Sequence, residues 1–395
     1  MAVPWCSTPI PLGDRSIRRS PPPAASFAGS MLMRGSKTLS REQIDKRLRP
    51  KTRVASGGTR AQASAAERGE RRALAGCRHP AHPAFPEAEF EQLPAGDHRA
   101  GPRGAGSVQA MGKAFDPWPA DHPFRFRTID DQLANLRAMK LDDVRAYHRD
   151  VFGTAEGQIA IVGDFDPAQI KPLLEKLFAD WKPGVAFAPI PTRYHPVAAR
   201  KETFETPDKS SAVFIARHNL ALNDEDPDYA ALMVANNIFG SGGILDWAIR
   251  PKDGLSYSIG SGISADSSRT ARCRQLASRP SPPRKCRQAE PHAKSWPASS
   301  RTASPTGTEG RVSGLLTNRE QARASDGTIA GMLNSDNFLG RPMLRRAEFD
   351  AKLKALTVEQ VNAAIRKFLR PDQLSVFVAG DFANAAKTPA ITPAK

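Results

Sequence analysis

The sequence predicts an α+β fold made of two homologous domains, each a mixed, largely antiparallel sheet with helices packed on one face. Three observations predict it. First, the chain repeats itself: aligning Gly163-Asp164-Phe165 with Gly380-Asp381-Phe382 sets an offset of 217, and no gap is needed back to residue 134. Under that offset Ala134, Leu136, Ala138, Val144, Ala146 and Arg149 meet Ala351, Leu353, Ala355, Val361, Ala363 and Arg366. Two amphipathic helices share a period by chance, but period alone does not reproduce a Gly-Asp-Phe corner at a fixed distance. Second, helices alternate with strands without the regular crossovers of a doubly wound sheet. Third, 395 residues at 40% hydrophobic content are enough to bury a core in each of two domains.

The elements follow in chain order. Residues 1–23 show no helical or strand period and are expected to lack order, and "MAVPWCSTPIPLGDRSIRRSPPP" holds no apolar run long enough for a signal peptide or a membrane span. The first domain is expected over 24–183. It begins with apolar residues around 24–33 and a helix at "SREQIDKRL", after which patterning dissolves over 46–80. It returns at "HPAFPEAEFEQL" (82–93), is lost again over 94–112, and resumes at "FDPWPADHPF". Leu133, Leu136, Met139, Val144, Tyr147 and Val151 recur at helical spacing over 128–152, predicting two helices that meet near Lys140. "GQIAIVGDF" reads as a buried strand. Asp166 then caps a helix with Pro167 at its first position, and "KPG" stops it.

The Pro-rich stretch 184–196 reads as a linker into a second domain over 197–384. "KETFETP" and "SAVFIARHNL" predict strands, "DPDYAALMVANNIFG" a helix between Pro227 and Gly240, and "SYSIGSGISA" another strand. Patterning fails over 267–312, helix resumes over 314–340, and the repeat of the two helices and strand closes the domain. Thr357 with Gln360 predicts a capping box on the second of those helices. Residues 385–395 are expected to be a disordered tail.

Charge narrows the functional classes. Residues 46–80 and 267–312 each carry ten Lys or Arg against two Glu, so the two windows supply the entire formal charge of +16. Both windows lack order in this reading. They are either out-of-frame translations of a GC-rich gene, created by paired insertions and deletions, or basic insertions that bind a polyanion. Apart from Trp296 neither window interleaves aromatics with its charges, so the stacking half of a single-strand binding surface is missing. Cys6, Cys77, Cys273 and Cys286 form no CxxC pair and have no histidine at ligand spacing, which excludes zinc-ribbon and dithiol redox chemistry.

On these residues the chain resembles a known family. "VRAYHRDVFGTAEGQIAIVGDFDPAQIKPLLEKLFADWKPG" is similar to the end of one domain of the M16 (insulinase or pitrilysin-like) zinc metallopeptidases. "NNIFGSGGILDWAIRPKDGLSYSIGSG" is similar to the Gly-rich helix and the R-x-K-[DE]-G-L-[SA]-Y signature of the next domain. The resemblance implies the twice-used mixed sheet. Active members carry H-x-x-E-H on a helix, two histidines binding zinc and the glutamate acting as base on a metal-bound water. That motif is absent from this chain: placed by the "MLMRGSKTLSREQI" segment, its two histidines and glutamate fall on Ser26, Ser30 and Gly29. No metal or base function follows there, and neither serine has a neighbouring His and Asp or Glu in sequence to activate it as a nucleophile.

The resemblance further implies that Arg250 and Tyr257, seven positions apart, bind the substrate backbone and the developing oxyanion. A forked guanidinium and a phenolic donor suit those tasks. Pro251 follows Arg250 where the family has a polar residue, and the preceding helix is about one turn shorter than the family pattern, roughly four residues. The expectation is therefore a non-catalytic, substrate-binding half that binds no cofactor itself and works beside a zinc-bearing M16 partner. The alternatives from the same sequence are a catalytically silent interaction protein, a defective gene product, or a basic polyanion binder. The compartment is not legible, although relatives of this kind are often periplasmic. Other motifs are weaker: "GSGG" (240–243) reads as a helix end, His148 and His218 are lone histidines of a structural kind, and "HPAHP" is too rigid for a metal site.

Overall fold

The structure, a computed structural model, describes residues 5–9, 23–32, 34–48, 52–57, 60–65, 83–93, 105–120, 122, 124–152, 158–181, 194–207, 212–239, 259–263, 265, 274–281 and 303–387. The chain forms two compact units, and neither is continuous in sequence. The first takes Met1–Gly101, Trp118–Ile190 and Arg319–Arg345; the second takes Pro102–Pro117, Pro191–Asn318 and Arg346–Lys395.

In the first unit, strands β1 (Trp5–Pro9), β2 (Thr52–Gly57), β3 (Arg60–Ala65) and β4 (Ala160–Val162) form an antiparallel sheet in the order β2-β3-β1-β4. The helices are α1 (Ala24–Met31), α2 (Arg41–Leu48), α3 (Glu87–Gln92), α5 (Ile129–Ala138), α6 (Leu141–Val151), α7 (Pro167–Phe178) and α10 (Asp326–Phe338). α1 and α6 make the core: Ala24, Phe27, Ala28, Met31 and Leu32 bury against Leu141, Val144, Tyr147, Val151 and Phe152. α10 packs on β1 and β4. α5 and α6 break at Met139–Lys140, as the spacing predicts, and Lys140 N donates to Asp143 Oδ2 at 2.8 Å to close the first turn of α6. Asp166 accepts from Ala168 N at 2.9 Å and opens α7.

The second unit holds β5 (Lys201–Glu205), β6 (Ala212–His218), β7 (Ile259–Ile263), β8 (Arg274–Ser281) and β9 (Ser375–Gly380) in the order β5-β9-β6-β8-β7. β5 runs parallel to β9 and every other pair is antiparallel, which makes the sheet mixed and largely antiparallel. α8 (Tyr229–Phe239) and α12 (Val358–Phe368) cover one face: Leu232, Val234, Ala235, Val361, Ala364 and Ile365 bury with Phe214, Ala216 and Val378. α4 (Ala105–Ala114) covers the other, with Met111 and Phe115 on Ile215 and Phe377. α9 (Pro305–Ala322), α11 (Leu344–Lys354) and α13 (Phe382–Lys387) complete the described helices.

The placement of α4 departs from helices on a single face. The physical reason lies in β6 and β9, where buried side chains occur at consecutive positions, so both sheet surfaces need cover. Regular elements also fall within segments whose sequence carries no helical or strand period. β1 lies within 1–23, β2 and β3 within 46–80, and α4 begins within 94–112. β8 lies within 267–312, α9 begins there at Pro305, and α13 reaches residue 387. The single helix expected over 314–340 is two, α9 and α10, separated at residues 323–325.

The two repeated segments have matching elements. α6 and α12 coincide end to end under the offset of 217, and β4 falls within β9. Val144 and Val361, equivalent positions, are both fully buried. The correspondence extends to side chains that hold distant backbone. Arg145 of α6 donates to Phe85 O at 3.3 Å, just ahead of α3. Its equivalent Asn362 accepts from Ala303 N at 2.6 Å and donates to Ala303 O at 3.4 Å, just ahead of α9. The two glycines of the Gly-Asp-Phe corners are required for different reasons. Gly163 has φ +147°, whereas a Cβ on Gly380 would stand 2.7 Å from the Cβ of Ala212.

Candidate functional site

α1 carries Ser26, Gly29 and Ser30, the positions onto which the resemblance puts the family's metal motif. Its apolar stripe, Phe27, Ala28 and Met31, faces α6, which turns Ser26 to the exposed side and leaves Ser30 half-buried. Ser26, Gly29 and Ser30 stand at i, i+3 and i+4, one face of the helix, so the backbone presents the spacing a two-histidine motif uses. The side chains are two hydroxymethyls and a hydrogen. They supply no imidazole and no carboxylate, and neutral serine hydroxyls are poor zinc ligands. Among the described residues no group of three or more His, Cys, Asp or Glu is placed to hold a metal ion.

Beneath this helix lies an unusual polar group. Tyr147 of α6 is 1% exposed, and its hydroxyl has no hydrogen-bond partner among the described residues. Burial holds its phenol well above the ordinary tyrosine range, because an ionised oxygen would be stranded in apolar surroundings. His148 beside it is packed among rings, edge-on to Phe85 at 5.3 Å and stacked on Trp181 at 6.1 Å, so it is part of the core. His218 is buried at the end of β6.

In the second unit, Arg250 and Tyr257 lie outside the described residues, and the elements on either side of them are defined. α8 ends at Phe239 and β7 begins at Ile259. Asn236, in the last turn of α8, donates from Nδ2 to Ser261 O at 3.3 Å, and Ser261 Oγ donates back to Asn236 O at 3.3 Å. The carbonyl of Asn236 is one of the four at the helix C-terminus that lack an intrahelical donor, so a strand hydroxyl satisfies it. Arg311 of α9 reaches the adjacent Asn237 Oδ1 at 3.4 Å. These ties were not legible as functional in the sequence. The only trace is a tandem Asn pair in an otherwise apolar helix, "YAALMVANNIF".

The sequence profile of the family described as "Peptidase M16 inactive domain" matches residues 138–275, which run from the end of α5 to the start of β8. No curated protein sequence matches the chain. Among solved structures, the M16 inactive domain from Pseudomonas fluorescens aligns with a TM-score of 0.80 at 19% identity, covering 99% of this chain and 94% of that one. A protease from Helicobacter pylori aligns at 0.71 and 14% identity, over 96% of this chain and 94% of that one. The periplasmic protease PqqL from Escherichia coli aligns at 0.69 and 15% identity, over 96% of this chain and 43% of the longer PqqL chain. The matched segment and the shared fold make the chain similar to M16 peptidase inactive domains.

Proposed function

We propose that the chain is the substrate-binding half of a two-part M16 peptidase, acting on a peptide whose scissile bond is held at the zinc of a partner subunit. One observation carries the reading. Ser26, Gly29 and Ser30, on α1, occupy the positions onto which the resemblance puts the metal motif, while the sequence retains the R-x-K-D-G-L-S-Y segment. A chain that lacks the metal and base positions but keeps the substrate-facing pair has the composition of a complementary half. PqqL, a protease, is long enough that this chain matches less than half of it, which supports a role as one half of a larger assembly.

In this reading Arg250 donates its guanidinium fork to carbonyls of the bound peptide, and Tyr257 donates its hydroxyl to the oxygen of the carbonyl under attack. The zinc of the partner supplies the activated water when bound. The matching elements at an offset of 217 reflect duplication of one ancestral domain. No helix among the described residues is long and apolar enough to cross a membrane. The periplasm, where PqqL resides, is the compartment in which to seek the partner.

The test is peptide hydrolysis by the chain alone, by a zinc-bearing M16 subunit alone, and by the mixture. Activity should appear in the mixture, and Tyr257→Phe should lower kcat by about a hundredfold, the cost of one oxyanion donor. Chelator-sensitive hydrolysis by the isolated chain would overturn the reading. A mixture no more active than the partner alone would favour a catalytically silent interaction protein.

A further inference from the structure

Strand β5 ends the sheet of the second unit. It pairs with β9, and among the described residues no strand lies on its other side. The parallel register fixes which backbone groups it turns outward. Thr206 N donates to Gly380 O at 3.0 Å, and Val376 N donates to Arg200 O at 2.8 Å. Successive residues of a strand address opposite sides, so Arg200, Glu202, Phe204 and Thr206 point N–H and C=O at β9. Lys201, Thr203 and Glu205 point theirs away from it. The side chains of these three are also the exposed ones, while Glu202 and Phe204 are half-buried. Phe204 packs under α4, where a Cβ on Gly106 would stand 3.3 Å from its ring.

Charged residues commonly shield an edge strand from pairing. In β5 their order instead complements one partner. Set antiparallel to itself about Thr203, the segment Lys-Glu-Thr-Phe-Glu places Lys201 opposite Glu205, Thr203 opposite Thr203 and Glu202 opposite Phe204, so no like charges face each other. The outward backbone groups fit the same register, because Lys201, Thr203 and Glu205 become the residues that exchange N–H···O bonds with an antiparallel neighbour. Glu205 is held in place, its Oε2 accepting from Phe382 N at 2.9 Å and Ala383 N at 3.3 Å. Glu202 lies 3.8 Å from Arg200, which balances its charge within the strand.

We propose that β5 is a self-association edge: two copies of this chain join β5 to β5, antiparallel about Thr203, and continue one sheet through both. The proposal does not rest on the function proposed above. A joint made by one five-residue strand from each copy is smaller than a standard protein interface, so the dimer is weak, with a Kd of about 0.1 mM.

Sedimentation velocity of the full chain, at concentrations reaching about tenfold either side of that Kd, measures the dimer. Lys201→Glu should weaken it about tenfold, because attractive cross-strand pairs become repulsive, and Glu205→Lys should do the same. Mixed together, the two variants should associate at least as well as wild type, since every Glu at the joint then faces a Lys. Thr203→Pro deletes the N–H at the symmetry point and none that β9 uses. It should weaken the dimer about thirtyfold and leave thermal melting nearly unchanged. If Glu205→Lys unfolds the chain by losing its bonds to α13, Lys201→Glu and Thr203→Pro still decide, because both keep Glu205. A wild-type chain that stays monomeric throughout, a dimer indifferent to Thr203→Pro, or a mixture of well-folded charge variants no more associated than either alone overturns the proposal. So does a monomeric chain that binds a zinc-bearing M16 subunit in a Thr203-dependent way, which would assign the edge to that subunit.

Discussion

Replacing Tyr147 with phenylalanine should stabilise the protein. The ring is 1% exposed between α6 and α1, and its hydroxyl meets no partner among the described residues. A buried hydroxyl without a hydrogen bond costs about 1–3 kcal/mol. Phenylalanine removes that cost and keeps the ring that packs against Phe152 at a centroid distance of 6.0 Å. Allowing for the small void left by the oxygen, the expected gain is about 1 kcal/mol at neutral pH. The effect should grow in alkali. An unfolded tyrosine releases its proton near the ordinary value of 10.0, while the buried phenol of the folded protein keeps its own well past that point. Wild-type stability is therefore whole below pH 10 and declines above it by about 1.4 kcal/mol per pH unit from this group. The variant has no phenol to ionise, so the difference between the two proteins should reach about 2.4 kcal/mol at pH 11. Urea unfolding followed by tryptophan fluorescence from pH 7 to pH 11 measures both quantities. A variant less stable than wild type by 1 kcal/mol, or a difference that shrinks as pH rises, would refute the reasoning and show that the hydroxyl is bonded.

Three further outcomes follow from the packing. A fragment ending at Ile190 lacks α10, which covers β1 and β4, so it should aggregate or melt without cooperativity. Addition of a peptide spanning residues 319–345 should improve its solubility, and a sharp melt of the fragment alone would contradict the assignment. Asn362→Ala strands Ala303 N and O in a buried site and should cost about 2 kcal/mol in urea unfolding, whereas Arg145→Ala, at the half-buried equivalent, should cost less than half as much. Thr357→Ala removes the oxygen that accepts from Gln360 N at 3.3 Å and should lower stability by about 1 kcal/mol, with Thr357→Ser recovering most of it.

Local elements were the most legible. α6 and α12 follow from apolar residues at helical spacing, and their ends follow from Lys140–Asp143 and Thr357–Gln360. Both signals act within a few residues, so a linear reading captures them. The strands β2, β3 and β8 were illegible because their sequences alternate no apolar face, and the pairing that forms them comes from partners far along the chain. The site divides in the same way. Ser26, Gly29 and Ser30 fall on one helix face by spacing alone, while Asn236 and Ser261 lie twenty-five positions apart and only the fold brings them together.

The sequence by itself carried the family resemblance, the repeat at an offset of 217, the absence of H-x-x-E-H and the paired helices of each copy, because each is written in residue types at short, regular intervals. Tertiary structure alone decided that β5 pairs parallel to β9, that α4 covers the second face of one sheet and α10 packs on the other, and that a strand hydroxyl finishes the end of α8. Those outcomes depend on which apolar surface and which unsatisfied backbone group lie opposite one another in space. Hydrophobic burial and hydrogen bonding are blind to distance along the chain.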